Sequence, residues 1–178
     1  RAACQASGTE PADQAADHRQ ILARALADLG DGASGLACLQ GATPQPATAL
    51  SIGRALVRGT TDQRRQGEQI LVAMARDEAD AETEAEDEDA IPSTERLEAA
   101  RLLSEPLQPD ASLLAQLPPS LRRHSADVAA AEVRLGSRPA ASVFEQWPHH
   151  PASWQLQWDL ARSDLLARRW NQAEAWLL

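Results

Sequence analysis

Ala152–Leu178 reads ASWQLQWDLARSDLLARRWNQAEAWLL. Trp158, Ala161 and Leu165 recur there at three- and four-residue steps, which sets one apolar stripe along a helix. Leu, Ala, Gln, Arg and Glu supply most of the remainder, and these residues lose least on entering a helix. The spacing predicts one helix over Ala152–Arg168 and a second over Asn171–Leu178, with Arg168-Arg169 at the turn. Two amphipathic helices joined so tightly must fold back on each other. A helical hairpin is the unit, and an all-α fold is the class.

Upstream residues repeat the grammar. Residues 1–12, with Gly8 and Pro11, read as a loose arm. Asp13–Leu29 reads as a helix with Ile21, Leu22, Ala25, Leu26 and Leu29 on its buried face, stopped by Gly30. Gly30–Gly41 reads as a loop with one helical turn at Leu36–Leu39. Pro44 and Pro46 keep the chain extended before a helix over Ala47–Arg58, whose inner side carries Leu50, Gly53, Leu56 and Val57. Thr60 or Thr61 caps a partner running to about Arg76, with Gly67, Ile70, Leu71 and Met74 inward. Gly53 and Gly67 let these two backbones approach closely. Ser93 caps a helix to Ser104 carrying Leu97, Ala100 and Leu103, and Asp110 caps a short one through Leu117. Ser120–Leu135 reads as one helix with Leu121, Val128, Ala131 and Leu135 inward. Ser137 caps the next, with Pro139 in its first turn and its end near Trp147-Pro148.

Charge divides the chain. Residues 77–89 (DEADAETEAEDED) hold nine carboxylates and no base, which accounts for the formal charge of −9. Without them, 17 acids face 17 arginines, and there is no Lys. Like charges repel and offer no apolar face, so this run reads as a solvated linker. The organisation is therefore helical hairpins over 1–76, an acidic linker over 77–92, and helical repeats over 93–178. No segment interleaves bases with aromatics, so nucleic acid is not an expected partner. No apolar run approaches the ~20 residues that span a bilayer. Cys4 and Cys38 are consistent with a single bridge in an oxidising compartment or with two free thiols.

Chemistry-bearing motifs are sparse. Gly30-x-Gly32-x-x-Gly35 fits the dinucleotide fingerprint in letters, but it follows a helix and not a strand, so it reads as an ordinary flexible turn. His149-His150 lacks a second ligand cluster and reads as a solvated loop, while His18 and His124 read as surface residues. Neither thiol has a neighbouring His, and no nucleophile elbow occurs. The acidic run lacks the order of a calcium loop. The sequence therefore offers no catalytic residue, no cofactor site and no metal site. Trp147, Trp154, Trp158, Trp170 and Trp176 fall within thirty residues. Such residues pack between helices, or they line a groove that stacks sugar rings or anchors a partner. Trp154, Trp158 and Arg162 are the candidate groove residues.

The spacing from Ala140 to Ala173 is 33 residues, and so is that from Phe144 to Leu177. Phe144-Glu145-Gln146-Trp147-Pro148 resembles the end of a second helix in a tetratricopeptide unit, whose period is about 34 residues. Trp158, Ala161 and Leu165, then Arg169-Trp170-Asn171-Gln172-Ala173, resemble the following first helix, turn and second helix. Arg162 stands where a Gly is usual. The resemblance implies antiparallel hairpins stacked as a tetratricopeptide-like solenoid, or superhelix, with Trp at the first-helix position ordinarily in the core. Leu178 ends the chain inside a helix on an apolar residue, so the array is expected to continue beyond it or to self-associate through an open end.

HPASWQLQWDLA, followed by LLARRWNQAEAWLL, also resembles the N-terminal superhelical region of bacterial soluble lytic murein transglycosylases, mainly over residues 120–178. That resemblance implies a periplasmic or exported, non-catalytic helical scaffold beside a lysozyme-like domain, with the peptidoglycan strand as partner. The alternative is a tetratricopeptide-like adaptor, exported or cytoplasmic, that takes a protein or peptide on its concave face.

Overall fold

The computed structural model describes residues 12–76, 91–106 and 109–178, with side chains from residue 14 onward. The acidic run 77–89 and Cys4 lie outside the described residues. Eleven helices and no strand occur among the described residues. They are α1 (Ala12–Asp28), α2 (Gly32–Cys38), α3 (Pro46–Leu56), α4 (Thr61–Ala75), α5 (Thr94–Ser104) and α6 (Ala111–Leu114), then α7 (Pro119–His124), α8 (Ala126–Arg134), α9 (Ala140–Gln146), α10 (Pro151–Leu166) and α11 (Trp170–Leu177). The all-α class follows the sequence reading.

Caps mark several of the predicted starts. The Thr60 hydroxyl accepts from the Gln63 amide while the Gln63 side chain accepts from the Thr60 amide, a reciprocal capping box. Ser93 caps α5 and Asp110 caps α6. Three stretches differ from the sequence reading. The loop expected over Gly30–Gly41 holds the helix α2, capped by Asp31. The stretch expected as one helix over Ser120–Leu135 is broken at Ser125, whose backbone is extended and whose hydroxyl caps α8. Ser137 does not cap α9; its hydroxyl donates to the Glu132 carbonyl and closes α8 instead, and Pro139 precedes α9.

Close backbone approach organises the first half. A Cβ on Gly67 would lie 2.9 Å from the Val57 amide nitrogen and 3.0 Å from the Gly53 carbonyl oxygen. A Cβ on Gly53 would meet Leu71 at 2.7 Å. The expected Gly53–Gly67 approach is therefore how α3 meets α4. A second glycine pair does the same for α2. A Cβ on Gly32 would strike Leu56, and one on Gly35 would sit 2.7 Å from the Ala23 carbonyl oxygen. Gly32 and Gly35 are thus helix-packing residues and not part of a flexible turn. Gly30 alone serves as the left-handed stop, at φ 91°.

That same closeness reverses the expected face of α1. Only small residues fit where α2 presses on it, so Ala15, Ala23 and Ala27 are buried. Ile21, Leu22 and Leu29 stay exposed, Leu29 at 85%. Ala25 is exposed as well, and of the predicted face only Leu26 packs on the core.

The central core joins both sides of the acidic run. Leu71, Val72 and Ala75 of α4 pack with Ala99, Leu102 and Leu103 of α5, and with Leu121, Val128 and Ala131 beyond. Burying a leucine such as Leu71 contributes about 2 kcal/mol. Polar ties lock the same contact. Arg96, itself buried, donates through Nε (3.2 Å) and Nη2 (3.1 Å) to the Ala75 carbonyl at the end of α4. Glu98 bridges Arg54 of α3 (2.8 Å) and Arg101 of α5 (2.7 Å). A third cluster, Ala126, Ala129, Ala130, Val143, Ala152 and Leu156, seats α9 and α10 on α8. Each helix packs mainly on near neighbours in the chain, from α1 to α11.

The 33-residue equivalence shifts in three dimensions. Ala140 is the first residue of α9, whereas Ala173 is the fourth of α11. The buried counterpart of Ala173 is Val143, at the fourth position of α9. Phe144 packs against the α8 cluster and Leu177 is exposed, so they are not equivalent.

Candidate functional site

The predicted site residues lie on α10, so the site is built from that helix outward. Pro151 occupies its first turn, and His150 caps it: Nδ1 accepts the Ala152 amide at 3.1 Å. His150 is therefore a structural cap, while His149 is exposed. Ala152, Ser153, Leu156 and Ala161 form the buried face. Ser153 donates to the Trp147 carbonyl at 2.7 Å and fixes the entry of the helix. Arg134 of α8 donates to Asp159 at 2.9 Å, and Gln155 donates to the other oxygen of that carboxylate.

The far end of α10 is tied to α11 through one carboxylate. Asp164 is buried and accepts from Arg169 Nε (2.8 Å) and from the Trp176 indole N–H (2.9 Å). The hydrogen bond from Arg169 holds the Asp164 carboxyl below its usual range. The Gln157 amide donates to the Trp176 carbonyl, and the Trp176 ring tilts against Phe144 at a centroid separation of 6.0 Å. The hairpin is thereby held as one rigid piece.

On that piece the five tryptophans part company. Trp147 packs on the α8 cluster and Trp176 is half-buried, so both act as core residues. Trp154 and Trp158 are 58% and 57% exposed, and Arg162 is exposed one turn further along the same face. The first-helix core position of the tetratricopeptide resemblance is therefore not where these two rings sit. The structure brings Trp154, Trp158 and Arg162 together as an outward ridge. Leu165, Leu166, Trp170 and Leu177 extend the exposed apolar surface across the end of the hairpin. A rigid ridge of indole rings with a guanidinium at its end can stack planar or cyclic faces and pair with an anion.

A cavity of about 240 Å³ lies beside the start of α10, where Arg101, Asp127 and Arg134 meet Pro151, Ala152 and Gln155. Burial pushes the Asp127 carboxyl up, while His150 and Arg101 pull it down and Glu98 pushes it up. Both arginines are already committed, Arg101 to Glu98 and Arg134 to Asp159. The cavity is thus a structural charge network and not a poised acid–base pair.

Sequence reading missed Glu132. It is buried and accepts from Arg122 (2.7 Å) and Arg138 (2.8 Å). The break at Ser125 turns α7 toward it, and the bonds from Ser137 to the Glu132 carbonyl fold the loop after α8 back so that Arg138 reaches it. His124, expected at the surface, is half-buried, and its Nε2 is buried without a hydrogen-bond partner. No group of three metal-ligating side chains occurs among the described residues.

No protein-family model matches the chain, and neither a curated protein nor a solved structure matches it. No helix among the described residues is long and apolar enough to cross a membrane.

Proposed function

We propose that this chain is a non-catalytic helical scaffold of an exported protein, working at the cell wall as the superhelical part of a lytic transglycosylase-like protein. The observation that carries the reading is the outward ridge of Trp154 and Trp158, ending in Arg162, on a hairpin locked by Asp164. Exposed tryptophans on a rigid support suit the flat faces of sugar rings, and an arginine beside them suits the carboxylates of a peptidoglycan strand. The run of helices packed on near neighbours suits a solenoid of stacked hairpins. Cys38 is disulfide-bonded and no free cysteine occurs among the described residues, which supports an oxidising compartment such as the periplasm.

The test is co-sedimentation with purified, insoluble peptidoglycan. The chain should pellet with the polymer, release no soluble fragments from it, and stay in the supernatant as the Trp154→Ser, Trp158→Ser double variant. Equal pelleting of the double variant would overturn the assignment of the ridge.

One observation favours a second reading, a tetratricopeptide-like adaptor. The exposed apolar surface runs past the ridge onto Leu165, Leu166, Trp170 and Leu177, which suits a partner helix or a second copy better than a glycan. Under that reading the chain ignores peptidoglycan, and its sedimentation coefficient rises with concentration or on adding a protein partner.

A further inference from the structure

Arginines are mostly spoken for in this molecule. Arg54, Arg101, Arg122, Arg134, Arg138 and Arg169 each pair with a carboxylate at 2.9 Å or less. Arg58, Arg64, Arg65 and Arg76 are exposed, and among the described residues none of them makes an ion pair. All four stand around one concavity. Its larger part, about 840 Å³, lies along the outer face of α4 from Arg65 to Arg76 and is closed by Leu113 and Gln116 near α6. An adjoining part of about 420 Å³ continues past Arg64 to Arg58 at the end of α3. The two share Glu68, Asp110 and Leu113, so they form one groove.

Apolar side chains line part of this groove. Val72 of α4 lies in the first part, and Val57, Leu102 and Leu103 lie in the second, with Leu113 between. Its rim carries more positive than negative charge. Asp110 spends its carboxylate on the amide and hydroxyl of Ser112, both at 2.7 Å, and Glu105 sits 3.9 Å from Arg101. Glu68 makes no ion pair among the described residues, so four arginines face three acids there. Four guanidinium groups that make no ion pair among the described residues, with Arg64 donating to the Val57 carbonyl, stand beside apolar side chains and would hold a segment that alternates carboxylates with aliphatic side chains.

We propose that this groove is a docking surface for an acidic, leucine-bearing peptide segment of a partner protein. Arg65 and Arg76 are eleven positions apart on one helix face, about 16 Å along the axis. About five residues of extended peptide span that distance. Carboxylates at the two ends of such a segment meet Arg65 and Arg76, while an aliphatic residue between them reaches Val72 and Leu113. Arg58 and Arg64 receive acids beyond. The site is distinct from the tryptophan ridge on α10 and does not depend on what that ridge binds.

The test is fluorescence anisotropy with a labelled peptide that alternates Glu pairs with Leu, against the same peptide with every Glu replaced by Gln. The acidic peptide should bind, weaken as salt rises, and lose about tenfold or more with the Arg65→Ala, Arg76→Ala double variant. Arg24→Ala, which removes an exposed arginine outside both the groove and the tryptophan ridge, should leave binding unchanged. All these positions are exposed, so circular dichroism should show the same helix content throughout. Equal binding of the Gln peptide, or equal loss with Arg24→Ala, would overturn the proposal. Binding that occurs only after the carboxylates of residues 77–89 are changed to amides would assign the groove to the chain's own acidic run, and would overturn an outside partner.

Discussion

Glu132 shows how much one side chain can depend on distant residues. Its carboxylate is buried between Arg122 and Arg138, so Glu132→Gln removes the charge that both arginines face. Breaking a fully buried pair costs about 3–5 kcal/mol; Arg122 is half-exposed, so about 2–3 kcal/mol is expected in urea unfolding. Asp127 behaves in the opposite sense. Burial raises its carboxyl above the ordinary value, so the folded chain holds that proton more tightly than the unfolded chain does. Its contribution to stability is present below the unfolded-state value and is lost as pH rises through the folded one. Asp127→Asn should therefore raise the melting temperature at neutral pH, and the gain should vanish in acid. Glu98 and Asp164 are lowered, the first by Arg101 and the second by Arg169. Their stabilisation is present at neutral pH and is lost as pH falls through their folded values. A melting-temperature series from neutral to acidic pH, run on the parent and on Asp127→Asn, separates the two trends.

At the scale of the element, the informative contrast is between α1 and α4. Both carry an apolar stripe at helical spacing. In α4, Gly67 and Leu71 meet α3 as the spacing predicts. Gly67→Ala puts a methyl group against backbone atoms that cannot yield, and should cost about 2 kcal/mol in the same unfolding experiment. In α1 the larger stripe is the uncovered one. Leu29→Ser should accordingly leave stability within about 0.5 kcal/mol, a value typical of surface changes. The difference was not legible in α1 itself. It arises because Gly35 of α2 comes so near the Ala23 carbonyl that the facing side of α1 holds only the small Ala23 and Ala27. Capping, by contrast, was legible. Thr60, Ser93 and Asp110 are read from local chemistry and were found at their helix starts.

For the whole molecule, the disulfide at Cys38 is the covalent restraint on an array otherwise held by neighbour-to-neighbour packing. Reduction should lower the unfolding free energy by about 2–4 kcal/mol, read as a shift in the urea midpoint with and without reductant. No thiol should be alkylated before reduction. The exposed surface of Trp154, Trp158, Trp170 and Leu177 lies on α10 and α11, and Ile21 and Leu22 of α1, with Leu29 just after it, are exposed in the first half. Candidate site residues on α10 were legible as a set, because Trp154, Trp158 and Arg162 recur at four-residue steps. Whether they face inward was not legible, since an amphipathic stripe of tryptophan reads the same in a core and on a ridge.

The sequence by itself determined most of the helices, the caps at Thr60, Ser93 and Asp110, and the Gly53–Gly67 approach of α3 to α4. These rest on short-range terms: backbone propensity, side-chain-to-amide hydrogen bonds and the steric room of a missing Cβ. Only the tertiary structure decided which stripe of α1 is covered, where Glu132 finds its arginines, that Trp154 and Trp158 face outward, and that Arg58, Arg64, Arg65 and Arg76 surround one groove. Each of these depends on how closely two helices distant in sequence approach. Periodicity within one helix marks a face, but the helix that comes to cover that face, or leaves it bare, is set by packing against the rest of the chain.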